Sequence, residues 1–240
     1  MQKSQNIFLP GGFKLFRILR SKYPLTDKNV LVIGAGSEKI AEKMIDSGAV
    51  SVKMIVNDFD SLMNSRLNLD RESIIILEMM EYEKTDFSDN EFDLVYAQAS
   101  ISSANRSKII KEIKRIRKAD GVLCVGEMTC LKKEYPVFIK DIFESSNISP
   151  LFHGEYSKYY VERGFEVNHE QDLSSSLKNF YENASSLLEM SIEKISATEK
   201  SYYKKLLNRI SHESNAYLNH GADKYIGFKM LILKLSDAAS

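Results

Sequence analysis

The 240-residue sequence predicts a doubly wound α/β fold: a seven-stranded, mostly parallel sheet with an antiparallel last strand and an inserted helical hairpin. Three observations carry that expectation. Short apolar runs alternate with segments of helical period from Val30 to Asn168. The first run, NVLVI, ends in the turn GAG. Between Leu173 and Asn219 the alternation stops and apolar residues recur every three or four positions instead.

Taken in order, Val30 to Ile33 is a continuous apolar run, the pattern of a parallel strand covered on both faces. Ile40, Ala41, Met44 and Ile45 give Glu38 to Ser47 a helical stripe. Val52 to Val56 predicts a second strand and the β-branched run Ser73 to Leu77 a third. Phe92 to Ala97 predicts the fourth, Arg106 to Lys118 a basic amphipathic helix, and Gly121 to Gly126 the fifth strand. Strands separated by helices imply right-handed parallel crossovers. A helix over Tyr135 to Ser146 and a short strand over Gly164 to Asn168 continue the pattern. Leu173, Leu177, Phe180, Tyr181, Ala184, Leu187, Leu188, Ile192 and Ile195 then mark one long helix. Ser196 with Glu199 forms a capping box for the next helix, whose stripe is Tyr203, Leu206, Leu207, Ile210 and Tyr217 and whose stop is Gly221. Tyr225 to Leu235 predicts the final strand.

The organisation expected is therefore a covering helix in residues 1–27, a core in 28–172, the hairpin in 173–221 as a cap or dimer surface, and the last strand in 222–240. Thirty-three basic residues balance thirty-three acidic ones, so the chain lacks the overall charge of a non-specific nucleic-acid binder. There is no apolar run of about 18 residues to span a membrane and no apolar leader core at the start, which points to a cytoplasmic protein. Cys124 and Cys130 form no CxxC pair, and His153, His169, His212 and His220 are scattered, so no metal site is expected. Tyr225 and Lys229 match a YxxxK pattern by coincidence, and the lysines and arginines of Arg106 to Lys118 are read as a solvated face.

The chemistry is expected around GAG. Gly34 and Gly36 let the backbone approach a ligand closely, with the unpaired amides of the next helix start behind them. The same glycines also suit a tight strand-to-helix turn with no ligand. Asp58, 22 residues beyond Gly36 at a strand end, can accept from a ribose diol, or can instead cap the following helix. A dinucleotide turn wants a third glycine at position 39, which is Lys39.

VLVIGAG, VNDFD, DFSDNEFDLVYAQ and KEIKRIRKADGVLCVGE, in that order, resemble the motifs of the class I S-adenosylmethionine-dependent methyltransferases, in particular the small-molecule group that includes quinone-biosynthesis enzymes. The resemblance covers Val30 to Asp172 and returns in the last strand, and it implies a Rossmann-like core with S-adenosylmethionine as cofactor. By that resemblance Gly34, Ala35 and Gly36 pass beneath the amino-acid portion, Asp58 holds the ribose hydroxyls and Phe59 lies beside the adenine. Glu81 and Tyr82 match the pair that contacts the adenine, with Glu78 or Glu83 as alternatives to Glu81; Gln98 lines the methionine end or is a surface-loop residue. Val32 stands where the family often has an acid, and Glu38 where it has a third glycine.

A small, partly apolar methyl acceptor is the expected partner, with Tyr96, Glu127, Met128, Tyr156, Tyr159 and Tyr160 as candidate walls, although Tyr156, Tyr159 and Tyr160 are more simply a loop packing its rings on the sheet edge. FLPGGFKLFRIL is expected to form a turn and a helix over the cofactor mouth. The competing readings are a Rossmann-type NAD(P) oxidoreductase and a non-catalytic binding or assembly protein on the same fold, the latter favoured by Val32 and Glu38.

Overall fold

The computed structural model describes residues 7–194 and 197–236, with side chains over that range except 187–207. The expected capping box at Ser196 and Glu199 lies outside the described residues. In chain order, α1 (Lys14–Lys22) precedes β1 (Asn29–Ile33), α2 (Glu38–Asp46), β2 (Ser51–Val56), α3 (Phe59–Asn68), β3 (Ile76–Met79) and β4 (Phe92–Gln98). There follow α4 (Arg106–Ile116), β5 (Arg117–Cys130), α5 (Val137–Ser145), β6 (Leu151–Phe152), α6 (Tyr156–Val161) and β7 (Phe165–Asp172). Helices α7 (Leu177–Lys194) and α8 (Ala197–Asn219) then lead into β8 (Ile226–Leu235).

The strands form one sheet in the order β3-β2-β1-β4-β5-β8-β7, with the two-residue β6 paired to β5 off that path. The pairs from β3 through β5 are parallel, and β8 runs antiparallel to both β5 and β7. This is the mostly parallel sheet expected, with the antiparallel last strand inside it and the helical hairpin between β7 and β8.

The two-residue period of the strands sends alternate side chains to opposite faces. Val30, Val32, Met54, Leu94 and Tyr96 join the core formed with Leu15, Phe16 and Leu19 of α1 and with Ile40 and Met44 of α2. Leu31, Ile33, Ile55, Val95 and Ala97 face Ile109, Ile110, Ile113 and Ile116 of α4. Both faces are covered, which is why the central strands are continuous apolar runs.

Several boundaries differ from expectation for identifiable reasons. The third strand is Ile76–Met79, not Ser73 to Leu77, because Ser73 closes a turn on the Asp70 carbonyl. Helix α4 stops at Ile116, and Arg117 opens β5 by pairing with Phe92. Pro136 sets the start of α5, leaving Tyr135 outside. The strand expected at Gly164 to Asn168 continues to Asp172 along β8, with a register shift between Val167 and His169. Helices α3 and α6 were not expected. No helix among the described residues is long and apolar enough to cross a membrane.

Candidate functional site

The carboxyl ends of β1, β2 and β4 meet at the glycine turn. Gly34 (φ +107°) and Gly36 (φ +86°) occupy conformations that L side chains rarely adopt. The Gly34 amide donates to the Ile55 carbonyl at 2.9 Å, which ties the end of β1 to β2. A Cβ on Gly34 would stand 2.4 Å from the Ser100 Cβ, and one on Gly36 would stand 3.1 Å from Leu9 Cδ2. Ser100 follows β4 and Leu9 belongs to the N-terminal segment, so the turn is walled by both. Ala35, between the glycines, is half-buried.

Glu38 occupies the third-glycine position and is buried. Its Oε1 accepts from the Gly36 amide at 2.9 Å and from Ser65 Oγ at 2.5 Å. An amide that the resemblance would leave to a ligand is thus satisfied from within the turn. Val32 is buried in the core.

Beyond β2, Asp58 caps α3: Oδ1 accepts from the Ser61 amide at 2.8 Å and Oδ2 from Ser61 Oγ at 2.7 Å. The carboxylate nonetheless stays exposed, with lone pairs to spare. Tyr82 is buried beside it. Burial, and then the Asp58 charge, push the Tyr82 phenol well above its ordinary range, while a hydrogen bond involving the Asn57 backbone opposes the rise. Phe59 is 64% exposed at the start of α3, and Glu81 is exposed on a bridge to Lys84. The structure therefore gathers Asp58 and Tyr82 at one edge.

A cleft of about 350 Å³ opens there, lined by Asn57, Glu81 and Tyr82 on one side and by Ser100, Ser102 and Asn105 on the other. That volume lies in the ~300–1,000 Å³ range of small-molecule sites. Glu83 also lines it and accepts from Asn105 Nδ2 at 2.8 Å. The hydroxyls of Ser37, Ser100 and Ser102 are buried without a partner along the turn and the loop after β4. Buried hydroxyls without partners are uncommon in proteins. The Ser100 and Ser102 hydroxyls and the Glu81 carboxylate in the lining, with Asp58 next to the lining residue Asn57, fit a ligand rich in hydroxyl and amino groups, as a nucleoside is. Ser100, Ser102 and Asn105 are absent from the sequence expectation, although the serine-rich run ASISSAN directly after β4 is a visible signal; Ser37 has none.

Other expected residues lie elsewhere. Gln98 is buried; it accepts from the Tyr96 hydroxyl, and its Nε2 donates to the carbonyls of Pro10 at 2.6 Å and Gly12 at 3.0 Å. Its amide pins the N-terminal turn and is not presented to the cleft, nor is it a surface-loop residue. Tyr96 and Met128 are core side chains. Glu127, Tyr156 and Tyr160 are fully enclosed on the α4 and α6 side of the sheet. Glu127 receives Arg106 Nε at 2.7 Å and the Tyr160 hydroxyl, Arg106 Nη2 donates to the Ser149 carbonyl at 2.6 Å, and Tyr159 stacks beneath the Arg163 guanidinium. Burial, then the Glu127 charge, raise the Tyr160 phenol far above its usual range. This network ties β5 to α4 and α6. The basic helix is also more than a solvated face: Arg115 bridges Glu112 and Asp89, and Lys114 donates to the Arg163 carbonyl. Among the described residues no group of three His, Cys, Asp or Glu side chains is arranged to hold a metal ion.

Residues 31–125 match a family model described as a methyltransferase domain. No curated protein matches the chain significantly. Among solved structures, the Haemonchus contortus phosphoethanolamine N-methyltransferase 2, in complex with phosphomonomethylethanolamine and S-adenosylhomocysteine, superposes with a TM-score of 0.75 at 14% identity, over 97% of this chain and 55% of that one. The [4+2]-cyclase SpnF gives 0.70 at 15% identity, over 93% and 80%. The cyclopropane synthase MmaA2 of Mycobacterium tuberculosis gives 0.68 at 14% identity, over 92% and 82%. These likenesses show the fold. Together with the domain match, they support the resemblance to class I S-adenosylmethionine-dependent methyltransferases and to their cofactor.

Proposed function

From a methyltransferase domain at residues 31–125 on the class I fold, we propose that this protein transfers a methyl group from S-adenosylmethionine to a small, partly apolar acceptor by in-line displacement. One observation supports this above the others: the glycine turn, the Asp58–Tyr82 edge and a cleft of about 350 Å³ with unpartnered serine hydroxyls lie together at the carboxyl edge of the sheet. Ligands of open α/β sheets bind outside the carboxyl ends of strands.

In this reading Gly34, Ala35 and Gly36 pass under the amino-acid portion of the cofactor, and Asp58 accepts from the ribose diol with its remaining lone pairs. Phe59, Glu81 and Tyr82 meet the adenine. Ser100 replaces Gln98 at the methionine end, because the Gln98 amide is occupied by the N-terminal turn. When bound, S-adenosylmethionine supplies a methyl carbon on a sulfonium leaving group. The chain aligns the acceptor with that carbon and excludes water, and such positioning is worth on the order of 7 to 11 kcal/mol in favourable cases. Residues 1–27 cover the mouth, residues 28–172 carry the core, and the hairpin of α7 and α8 serves as a cap or dimer surface in a cytoplasmic enzyme.

Calorimetry with S-adenosylmethionine, S-adenosylhomocysteine and NAD tests the proposal. Binding of S-adenosylhomocysteine supports it. Binding of NAD alone would favour an oxidoreductase. Binding of none would favour a non-catalytic protein, the reading that the Glu38 carboxylate on the Gly36 amide supports.

A further inference from the structure

With Tyr96, Glu127, Met128, Tyr156 and Tyr160 enclosed, contacts to the acceptor must be sought elsewhere. A second groove, of about 170 Å³, lies between α1 and α7. Its α1 wall carries Lys14 and Arg17, three positions apart on the face opposite the buried Leu15, Phe16 and Leu19. Its α7 wall carries Asn179 and Asn183, four positions apart and so on one helical face. Phe13 and Phe180 add aromatic surface.

The groove carries two cations and no acidic side chain among its described lining residues. Acidic and basic residues balance overall, and Lys39, Lys53, Lys118 and Lys229 each meet a carboxylate. Among the described residues neither Lys14 nor Arg17 pairs with one, and no acidic side chain lines the groove. Two cations and two side-chain amides, all four exposed, thus line a solvent-open groove with aromatic walls. A guanidinium fork and an ammonium beside amide donors match the oxygens of a carboxylate or phosphate.

The groove also adjoins the proposed methyl-transfer site. The turn Pro10 to Gly12 contributes Gly11 and Gly12 to its lining, and the same turn is held by Gln98 at the end of β4. Leu9, another lining residue, rests on Gly36. The groove is one thickness of chain from the glycine turn.

We infer that this groove is the oxyanion subsite of the acceptor, which makes the acceptor a partly apolar molecule bearing a carboxylate or a phosphate; this rests on the methyl-transfer reading above. The test titrates hexyl phosphate, hexanoate and 1-hexanol into the full chain at low ionic strength, with and without S-adenosylhomocysteine, following binding by calorimetry. The expected result is binding of at least one anion at least tenfold tighter than of hexanol. In the K14Q/R17Q variant that binding should fall at least tenfold, with the unfolding temperature unchanged. The stronger of the two anions then identifies the oxyanion. N179A/N183A should weaken binding in the same direction. The inference is overturned if neither anion binds, if hexanol binds as tightly, or if K14Q/R17Q binds like the wild type. Failure of S-adenosylhomocysteine to bind would sink the methyl-transfer reading while leaving the anion titration readable.

Discussion

Replacing Gln98 by leucine tests how the N-terminal segment is held over the glycine turn. Gln98 is 1% exposed, and its side chain makes three hydrogen bonds: one from the Tyr96 hydroxyl and two to the carbonyls of Pro10 and Gly12. Leucine fills a similar volume, so little cavity energy enters. The two lost bonds to the turn cost about 0.5–1.5 kcal/mol each where their carbonyls rehydrate, and more at Pro10, where the bond is buried. The Tyr96 hydroxyl cannot, since the residue is wholly enclosed. An unsatisfied buried hydroxyl costs about 1–3 kcal/mol, which brings the expected loss to roughly 2–6 kcal/mol. Urea unfolding measures it. The double variant Tyr96→Phe/Gln98→Leu removes the stranded hydroxyl and should recover about 1–2 kcal/mol of that loss. Hydrogen exchange supplies the local readout: the amides of Gly12 and Lys14, bonded to Leu9 and Gly11, should lose protection. A Gln98→Leu protein within about 0.5 kcal/mol of wild type, with those amides still protected, would refute the anchoring argument.

Four further outcomes are expected. Asp58→Ala should weaken S-adenosylhomocysteine binding by roughly 1–3 kcal/mol and stability by about 1 kcal/mol, whereas Asp58→Ser should keep the cap and lose only affinity; equal affinity in all three proteins would remove Asp58 from the site. Arg106→Leu strands the Glu127 carboxylate in a fully buried place and should cost about 3–5 kcal/mol, with the double variant Arg106→Leu/Glu127→Leu more stable than the single one in thermal denaturation. Gly34→Ala must accept φ +107° against Ser100 and should destabilise by more than about 1 kcal/mol; a neutral result in urea would show that the turn relaxes freely. Burial alone would raise the Glu112 carboxyl, but hydrogen bonds from Arg115 and Thr85 outweigh it and hold it at about 2. Because the folded value is depressed, this stability is complete above the ordinary value of 4.5 and is lost as pH falls towards 2, so the urea midpoint of Glu112→Gln should vary less over that interval than the wild type's.

The parts of the fold that were legible in the sequence are those buried on both faces. Strands β1 and β4 carry the apolar runs VLVI and LVYA because helices cover each side of the sheet. Helix α3 escaped notice because Phe59, Met63 and Leu67 point their apolar side chains to solvent, leaving Leu62 and Ser65 as its buried face. Strand β3 lies at the edge of the sheet with Ile76 and Met79 exposed, so burial imposes no pattern there. The positive-φ glycines and the helix-capping Asp58 were legible as backbone features because local geometry demands particular residue types. Gln98, Glu127 and Tyr160 were not, because their partners arrive from distant segments: Pro10 is 88 positions from Gln98, and Tyr160 is 33 from Glu127. A buried polar side chain and a ligand-binding one look alike until the fold supplies the partner.

The position of β8 bears on how the molecule is made. The strand built from residues 226–235 is an interior one, bonded on both sides, to β5 and to β7. During synthesis one edge of β5 and the whole of β7 therefore stay unpaired until more than two hundred residues have been translated and α7 and α8 have folded back. Pairings over such sequence distances form slowly, and exposed ribbons invite intermolecular pairing meanwhile. Early chain termination just before residue 226 should consequently leave an aggregating fragment rather than a smaller soluble domain.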